Sequence, residues 1–257
     1  MSILNALDPK DHQRFRRAIE PGLSEKAMRE QEDIIQNYIN SMISKLENIV
    51  TSNNGTAIVD IVQWFGFTTF DLIGDLGFGE SFNCLENTQF HPWVALIFNS
   101  LRAATLNASL RYYPGLNWLL SLAVPKSVMA KQRQHWDLAA EKVTRRLNLE
   151  MSRKDILSYV GIDENGVEGL RLGEVQATAS IIIIAGSETT VTVLSGIMNY
   201  LVKDPMKLAL LRDEVRGVFK EFEDVKLSRM KEMSYLNAVI QEGFRLCNPT
   251  YVKLLTL

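Results

Sequence analysis

Glu188 stands beside two hydroxyls, Thr189 and Thr190, in residues 179–194, a stretch otherwise apolar enough to lie in a protein core. An ionised carboxylate buried without partners costs several kcal/mol. An acid in such a place is paired, hydrated by trapped water, or chemically employed. Beside an alcohol it can relay protons, which suits oxygen activation or another proton-coupled step. As one helix, the stretch sets Ala185, Gly186 and Thr189 on a common face, because positions three and four apart are neighbours. Their small side chains leave a notch able to hold a flat cofactor or a diatomic molecule. Gly186, Ser187 and the threonines also invite a local bulge in the helix, and such irregularities often mark functional sites. The plainer alternative is close helix packing, with Thr189 or Thr190 bonded back to a carbonyl one turn earlier.

Two further groups of residues have chemical spacing. Glu242 and Arg245, three apart in Gln241-Glu-Gly-Phe-Arg-Leu246, form a charge-assisted pair on one helix face. Their flanks Leu236, Ala238, Val239, Ile240, Phe244 and Leu246 favour burial. His12 and Arg16, one turn apart, can both reach an anionic group. As local basic groups, Arg14-Phe-Arg-Arg17 and Arg145-Arg146 read as solvated helix faces rather than binding patches. Cys84 and Cys247 are far apart, with no Cys-x-x-Cys spacing, so neither a disulfide framework nor a metal site is suggested.

The elements that carry these residues are helices. Apolar residues recur at three- and four-residue steps from a Ser24 cap to Asn53-Asn-Gly55, which predicts one amphipathic helix. Residues 58–76 read as a helix buried on most sides, with Asp60 and Asp71 as its exceptions. Helices are expected from Pro92 to Leu106 and from Pro125 onward, where proline suits the first turn. Asp163-Glu-Asn-Gly166 is a loop. A single helical pattern runs from about Leu172 to Val202. Asp204-Pro205 opens another helix through Lys220, and Ser234 to Leu246 forms the last before Asn248-Pro249 stops it. No strand alternation of useful length occurs, so the fold is mainly α.

Composition narrows the function classes. With 46% hydrophobic residues the 257-residue chain buries a substantial core. Its 28 Lys and Arg against 30 Asp and Glu give a net charge of −2, which provides no global field for nucleic acid or an anionic membrane. Two cysteines fit an intracellular, reducing setting. No run of eighteen uncharged apolar residues is present, so no membrane anchor is expected in this chain.

Taken in order, the motifs resemble the middle of a cytochrome P450, the haem-thiolate monooxygenases, and in particular the fungal members that modify secondary metabolites. Asp11-His12 with Arg16-Arg17, then Ser24 to Glu32, is similar to that family's C helix and the start of its D helix. Phe67 to Phe82 resembles the E helix and the following turn, and His91-Pro-Trp93 the approach to the F helix. Ala185-Gly-Ser-Glu-Thr-Thr190 is similar to the oxygen-binding motif of the long I helix, and Glu242-x-x-Arg245 to the K-helix motif. The resemblance implies haem b, with His12 and Arg16 at its propionates and Ala185 and Gly186 over its distal face. It implies that Glu188 and Thr189 direct protons during oxygen activation, and that Glu242 and Arg245 are structural. It further implies O2, a small hydrophobic organic substrate near the region from Phe90 to Tyr113, NADPH-cytochrome P450 reductase as electron donor, and the endoplasmic reticulum membrane as the location of a full-length relative.

Residues 1–257 are expected to form a single partial P450 domain. The resemblance stops near Pro249. The glycine-rich loop with the iron-ligating cysteine is not found, nor are the N-terminal anchor and early β-sheet. Cys247 is read as an incidental residue of a helix end. Without a thiolate ligand the iron lacks the donor that promotes oxygen cleavage. The alternative expectation is therefore a catalytically inactive helical fragment in which haem is not thiolate-ligated.

Overall fold

Several helices begin where polar side chains satisfy free backbone N–H groups. A computed structural model describes residues 2–94, 126–149, 154–163 and 169–249. Among these residues regular structure is helical, and β-pairing is limited to one isolated parallel bridge between Ile162 and Leu170. Helix α1 (Pro9–Ile19) starts on Asp8, whose carboxylate accepts from Lys10 N at 2.8 Å, with Pro9 in its first turn. Ser24 Oγ accepts from Ala27 N at 3.2 Å and caps α2 (Glu25–Glu30).

The single helix expected from Ser24 is two. The chain turns at the fully buried Gln31 and restarts as α3 (Glu32–Ser52). Glu32 and Asp33 occupy the first turn of α3, where carboxylates offset the positive end of the helix dipole. Helix α4 (Ile61–Phe78) follows, and both acids of its apolar stretch prove to be caps. Asp60 accepts from Val62 N at 3.1 Å and Gln63 N at 3.3 Å at the start of α4. Asp71, 1% exposed, accepts from Cys84 N and Leu85 N, each at 2.8 Å, and so fixes the start of the short α5 (Cys84–Asn87).

Helices α6 (Lys126–Leu147) and α7 (Leu172–Lys203) match the expected charged and apolar patterns. The 32 residues of α7 span about 48 Å at 1.5 Å per residue. Asp204 accepts from Lys207 N at 3.2 Å to open α8 (Pro205–Val218), two residues shorter than its pattern predicts. The chain leaves that helix because Phe219 takes extended geometry, is buried, and lies 5.1 Å beneath the Arg229 guanidinium of α9 (Leu227–Met230). Helix α10 (Ser234–Leu246) has the predicted bounds. The helix expected from Pro92 to Leu106 lies outside the described residues beyond Val94, as do the substrate-lining candidates between 95 and 113 and most of the loop after Asp163.

The chain divides into two compact units. The first comprises residues 1–31 and 70–184, with Phe15, Phe70, Phe78, Trp93, Val143, Leu170 and Ile183 in its core. Both basic clusters read as solvated faces contribute a paired arginine to it. Arg14 donates from Nη1 and Nη2 to the two oxygens of Glu174 at 2.8 Å each, and from Nη1 to Gly169 O at 3.1 Å. Arg146, 7% exposed, pairs through Nε with the fully buried Asp155 and donates to Ser158 Oγ at 2.9 Å.

The second unit comprises residues 32–69 and 185–257. Within it the Glu32 carboxylate accepts from Leu227 N at 2.8 Å and Gln36 donates to Val225 O at 2.7 Å. Glu214 of α8 accepts from Tyr235 N at 2.9 Å and Leu236 N at 2.8 Å, which supplies α10 with the cap its own Met233 lacks. By length and composition alone α7 could cross a membrane. Near its start it is tied to other helices: Glu174 accepts from Arg14 and Gln176 donates to Thr144 at 3.1 Å.

Candidate functional site

Helix α7 is continuous through Ala185, Gly186, Ser187, Glu188 and Thr189, so the expected bulge does not form. The hydroxyls instead follow the helix. Thr189 Oγ1 donates to Ala185 O, Thr190 Oγ1 to Gly186 O at 2.8 Å, and Thr192 Oγ1 to Glu188 O at 3.0 Å. Each threonine thereby spends its proton inside the helix and keeps its oxygen lone pairs for a further donor. Ser187 is fully buried while Ala185 is exposed and Gly186 half-buried, so the small residues open to one side of the helix.

Glu188 is half-buried and, among the described residues, no cation faces its carboxylate. Burial alone pushes it above the usual carboxylate range. The acid suspected from sequence is therefore unpaired and disposed to hold a proton. It sits next in the chain to a hydroxyl that can accept one hydrogen bond while donating another to Ala185 O.

His12 and Arg16 belong to α1, in the first unit. With Gln13, Arg17 and Glu20 they border a hollow of about 410 Å³. Arg14 is neutralised by Glu174, whereas Arg16 and Arg17 carry no carboxylate partner among the described residues. With two unpaired arginines against the single carboxylate of Glu20, this face suits carboxylate or phosphate groups.

Glu242 and Arg245 do form the expected fork: Arg245 Nε donates to one carboxylate oxygen and Nη2 to the other, both at 2.7 Å. The guanidinium holds the Glu242 carboxyl below the usual range. The expectation of burial does not hold. The side chains are 54% and 66% exposed, and Ile240, Phe244 and Leu246 are also open to solvent. The α10 stripe turned inward is the one through Gly243, which faces Val193 and Ile197 of α7.

The structure adds a buried polar trio that the sequence motifs missed. Trp93 Nε1 donates to His135 Nδ1 at 2.7 Å, and Ser180 Oγ lies 2.8 Å from His135 Nε2. One local signal could have found it: His135, Ala139, Val143 and Arg146 recur at helical spacing and are all buried. The cysteines are set by packing. Cys84 is fully buried, with its thiol pushed up to about 12 chiefly by that burial. Cys247 is no incidental residue, because its Sγ fills the place a Cβ would take on Gly196 of α7.

A mainly α chain built around a 32-residue helix, with an unpaired acid and an alcohol side by side on it, meets its counterpart among the haem monooxygenases. The chain belongs to the cytochrome P450 family, whose model matches residues 2–255. Its relatives include the cytochrome P450 monooxygenase lcsI of Purpureocillium lilacinum, 39% identical over 97% of this chain. The trichothecene C-15 hydroxylase of Fusarium sporotrichioides is 40% identical over 94%. The chain spans about half the length of the curated relatives it matches, 48% and 49% for these two. The crystal structure of a cytochrome P450 superposes with a TM-score of 0.76 over 93% of this chain and 51% of that one. At 20% identity, that likeness shows the fold.

Proposed function

We propose that the protein works as a haem b-dependent monooxygenase that inserts one oxygen atom of O2 into a small hydrophobic organic substrate of fungal secondary metabolism. Electrons come, on this reading, from NADPH-cytochrome P450 reductase at the endoplasmic reticulum membrane. The observation that carries the proposal is the unpaired, half-buried Glu188 next to the back-bonded Thr189 in a chain of this family. Haem, when bound, supplies the redox centre for oxygen chemistry that amino-acid side chains lack.

The family resemblance supports the following residues toward such a group. His12 and the uncompensated Arg16 would hold its carboxylates, and the small Ala185 and Gly186 would leave room against its distal face. Glu188, kept protonated to higher pH by burial, would deliver a proton, and Thr189 would receive it on Oγ while its own hydrogen stays with Ala185 O. Glu242 and Arg245 would act by holding neighbouring chain rather than by chemistry.

Haem titration followed by the Soret band tests the first part. Arg16→Ala and His12→Ala should each weaken uptake, and uptake unchanged by both would remove α1 from the site. With reductase and NADPH, Thr189→Ala should raise the peroxide formed per NADPH consumed. Unchanged coupling would remove Thr189 from proton delivery. A protein that takes up no haem at all would be the noncatalytic helical chain instead.

A further inference from the structure

The turn after α3 carries reactive groups that the monooxygenase reading leaves unused. Gly55 N donates to Val50 O at 2.9 Å, while Asn53 N donates to Ile49 O at 3.2 Å and Val50 O at 3.1 Å. This is the six-to-one helix ending in which the residue after the cap is left-handed. That residue is Asn54, with φ +58, and Gly55 follows at φ +89. Both are exposed. Asn53 is held by a bond from its carboxamide to Ile49 O at 2.7 Å, whereas no such bond from the described residues holds the Asn54 carboxamide. Nothing lies within 4 Å of a Cβ placed on Gly55, so the Asn54–Gly55 peptide is open to approach.

We propose that Asn54 is a site of spontaneous deamidation whose rate is gated by the hydrogen bond from Gly55 N to Val50 O. In the reaction the Gly55 amide nitrogen attacks Asn54 Cγ. A new N–C bond closes a five-membered succinimide, the amide proton is given up to water or base, and the side-chain nitrogen leaves as ammonia. Water then adds to either ring carbonyl, opening the ring to aspartate or isoaspartate. No oxidant or cofactor enters.

The gate follows from the attacking atom. Gly55 nitrogen must lose its proton, and in the folded turn that proton is held by Val50 O. The reaction therefore draws on molecules in which the last turn of α3 has opened, a local event of low free energy at a helix end. The product does not easily restore the turn. It sets a negative charge at the carbonyl end of the α3 dipole, and isoaspartate adds a main-chain carbon inside the six-to-one ring. Deamidation thus fixes a transient fraying in place.

The test is peptide mapping by mass spectrometry, with aspartate and isoaspartate resolved, after incubation in mildly alkaline buffer. Loss of Asn54 should be at least about tenfold slower in the native protein than in guanidinium chloride, where the cap is absent. In denaturant Asn54 should react at a rate like that of the other Asn-Gly step, Asn165-Gly166. At the exposed Thr51, Gly and Ala differ by about 1 kcal/mol in helix preference, so native Thr51→Gly should deamidate up to about fivefold faster than Thr51→Ala. Asn54→Gly should abolish the signal at this position. Equal rates in native and denatured protein would overturn the gate, and no reaction at Asn54 in denaturant would overturn the site.

Discussion

The Trp93 indole N–H donates to His135 Nδ1 across 2.7 Å inside the first unit. An indole has no acceptor, so His135 is neutral and carries its proton on Nε2, directed at Ser180 Oγ. Trp93, His135 and Ser180 are 2%, 4% and 3% exposed, which leaves the imidazole no water to stabilise a charge. Burial accordingly holds His135 below the ordinary histidine range. The bond joins α6 to the residue that opens the chain beyond α5, and Ser180 adds α7.

A neutral buried histidine makes the first unit sensitive to acid. The folded value is depressed, so the stabilisation from this group is complete above the unfolded value near pH 6.5 and is lost as pH falls through the lowered folded value. His135→Phe should remove that pH dependence and leave the indole N–H unmatched, costing about 1–3 kcal/mol at neutral pH. Urea midpoints read by tryptophan fluorescence across this range check both effects. A parallel pH dependence in the variant would show that His135 is not the titrating group.

Arg14 and Glu174 give an acid response in a different window. Hydrogen bonds from Arg14 lower the Glu174 carboxyl to about 2, against the desolvation that opposes it. A depressed carboxylate stabilises the fold above its unfolded value near 4.5, and the contribution disappears as pH falls toward 2. The side chains are only 18% and 11% exposed, so solvent screens the pair weakly. Glu174→Gln should lower stability by roughly 2–3 kcal/mol at neutral pH. Its midpoint should converge with the wild type near the acid end of this window, and curves that stay separated there would refute the assignment.

What was legible in the sequence followed local signals. Helix α10 lies between Ser234 and Leu246 as read, because its apolar pattern and the stop at Asn248-Pro249 act within a few residues, even though its cap comes from the distant Glu214. The length of α7 was legible for the same reason, and so was the fork between Glu242 and Arg245. Partners distant in sequence were not. His135 is 42 residues from Trp93 and 45 from Ser180, and Arg14 is 160 from Glu174, so periodicity alone left Arg14 and Arg146 on solvated faces. The break at Gln31 was hidden because its cause is burial of that side chain, which the unbroken apolar pattern on either side does not reveal. At Glu188 the residue types singled out an acid that is half-buried and, among the described residues, without a cation, while the supposed bulge gave way to ordinary helix because the threonines satisfy their hydroxyls along it.

Close helix approach in the second unit occurs one to two turns beyond the motif, at glycines rather than at Ala185 or Gly186. A Cβ on Gly196 would lie 2.2 Å from Cys247 Sγ and 2.8 Å from its Cβ, and one on Gly243 would lie 2.4 Å from Ile197 Cγ1. Gly→Ala gains up to about 1 kcal/mol of helix preference, but overpacking costs about 1–3 kcal/mol, and contacts this short favour the second effect. Gly196→Ala and Gly243→Ala should therefore each destabilise the protein. Adding Cys247→Ala should recover part of the loss for Gly196→Ala and none for Gly243→Ala. Thermal denaturation of the four variants measures this, and equal recovery in both would refute the specific contact.

Glu188 should show the opposite sign from Glu174. Its folded value is raised because burial disfavours the carboxylate, and no cation compensates. Below the unfolded carboxylate value near 4.5 the group is protonated in both states and imposes no penalty. As pH rises through the raised folded value, the unfolded chain ionises more readily and native stability falls. Glu188→Gln keeps the shape and hydrogen-bonding capacity of the protonated acid without its ionisation. The variant should be more stable than the wild type at neutral pH, and the two should converge on acidification, as urea titrations at a series of pH values will report. A residue kept at a stability cost is what a proton-delivering acid requires. The same substitution should therefore slow turnover in the monooxygenase assay while raising the denaturation midpoint. A variant less stable than the wild type at neutral pH would mean that the carboxylate has a stabilising partner, and the proton-carrier reading of Glu188 would fall with it.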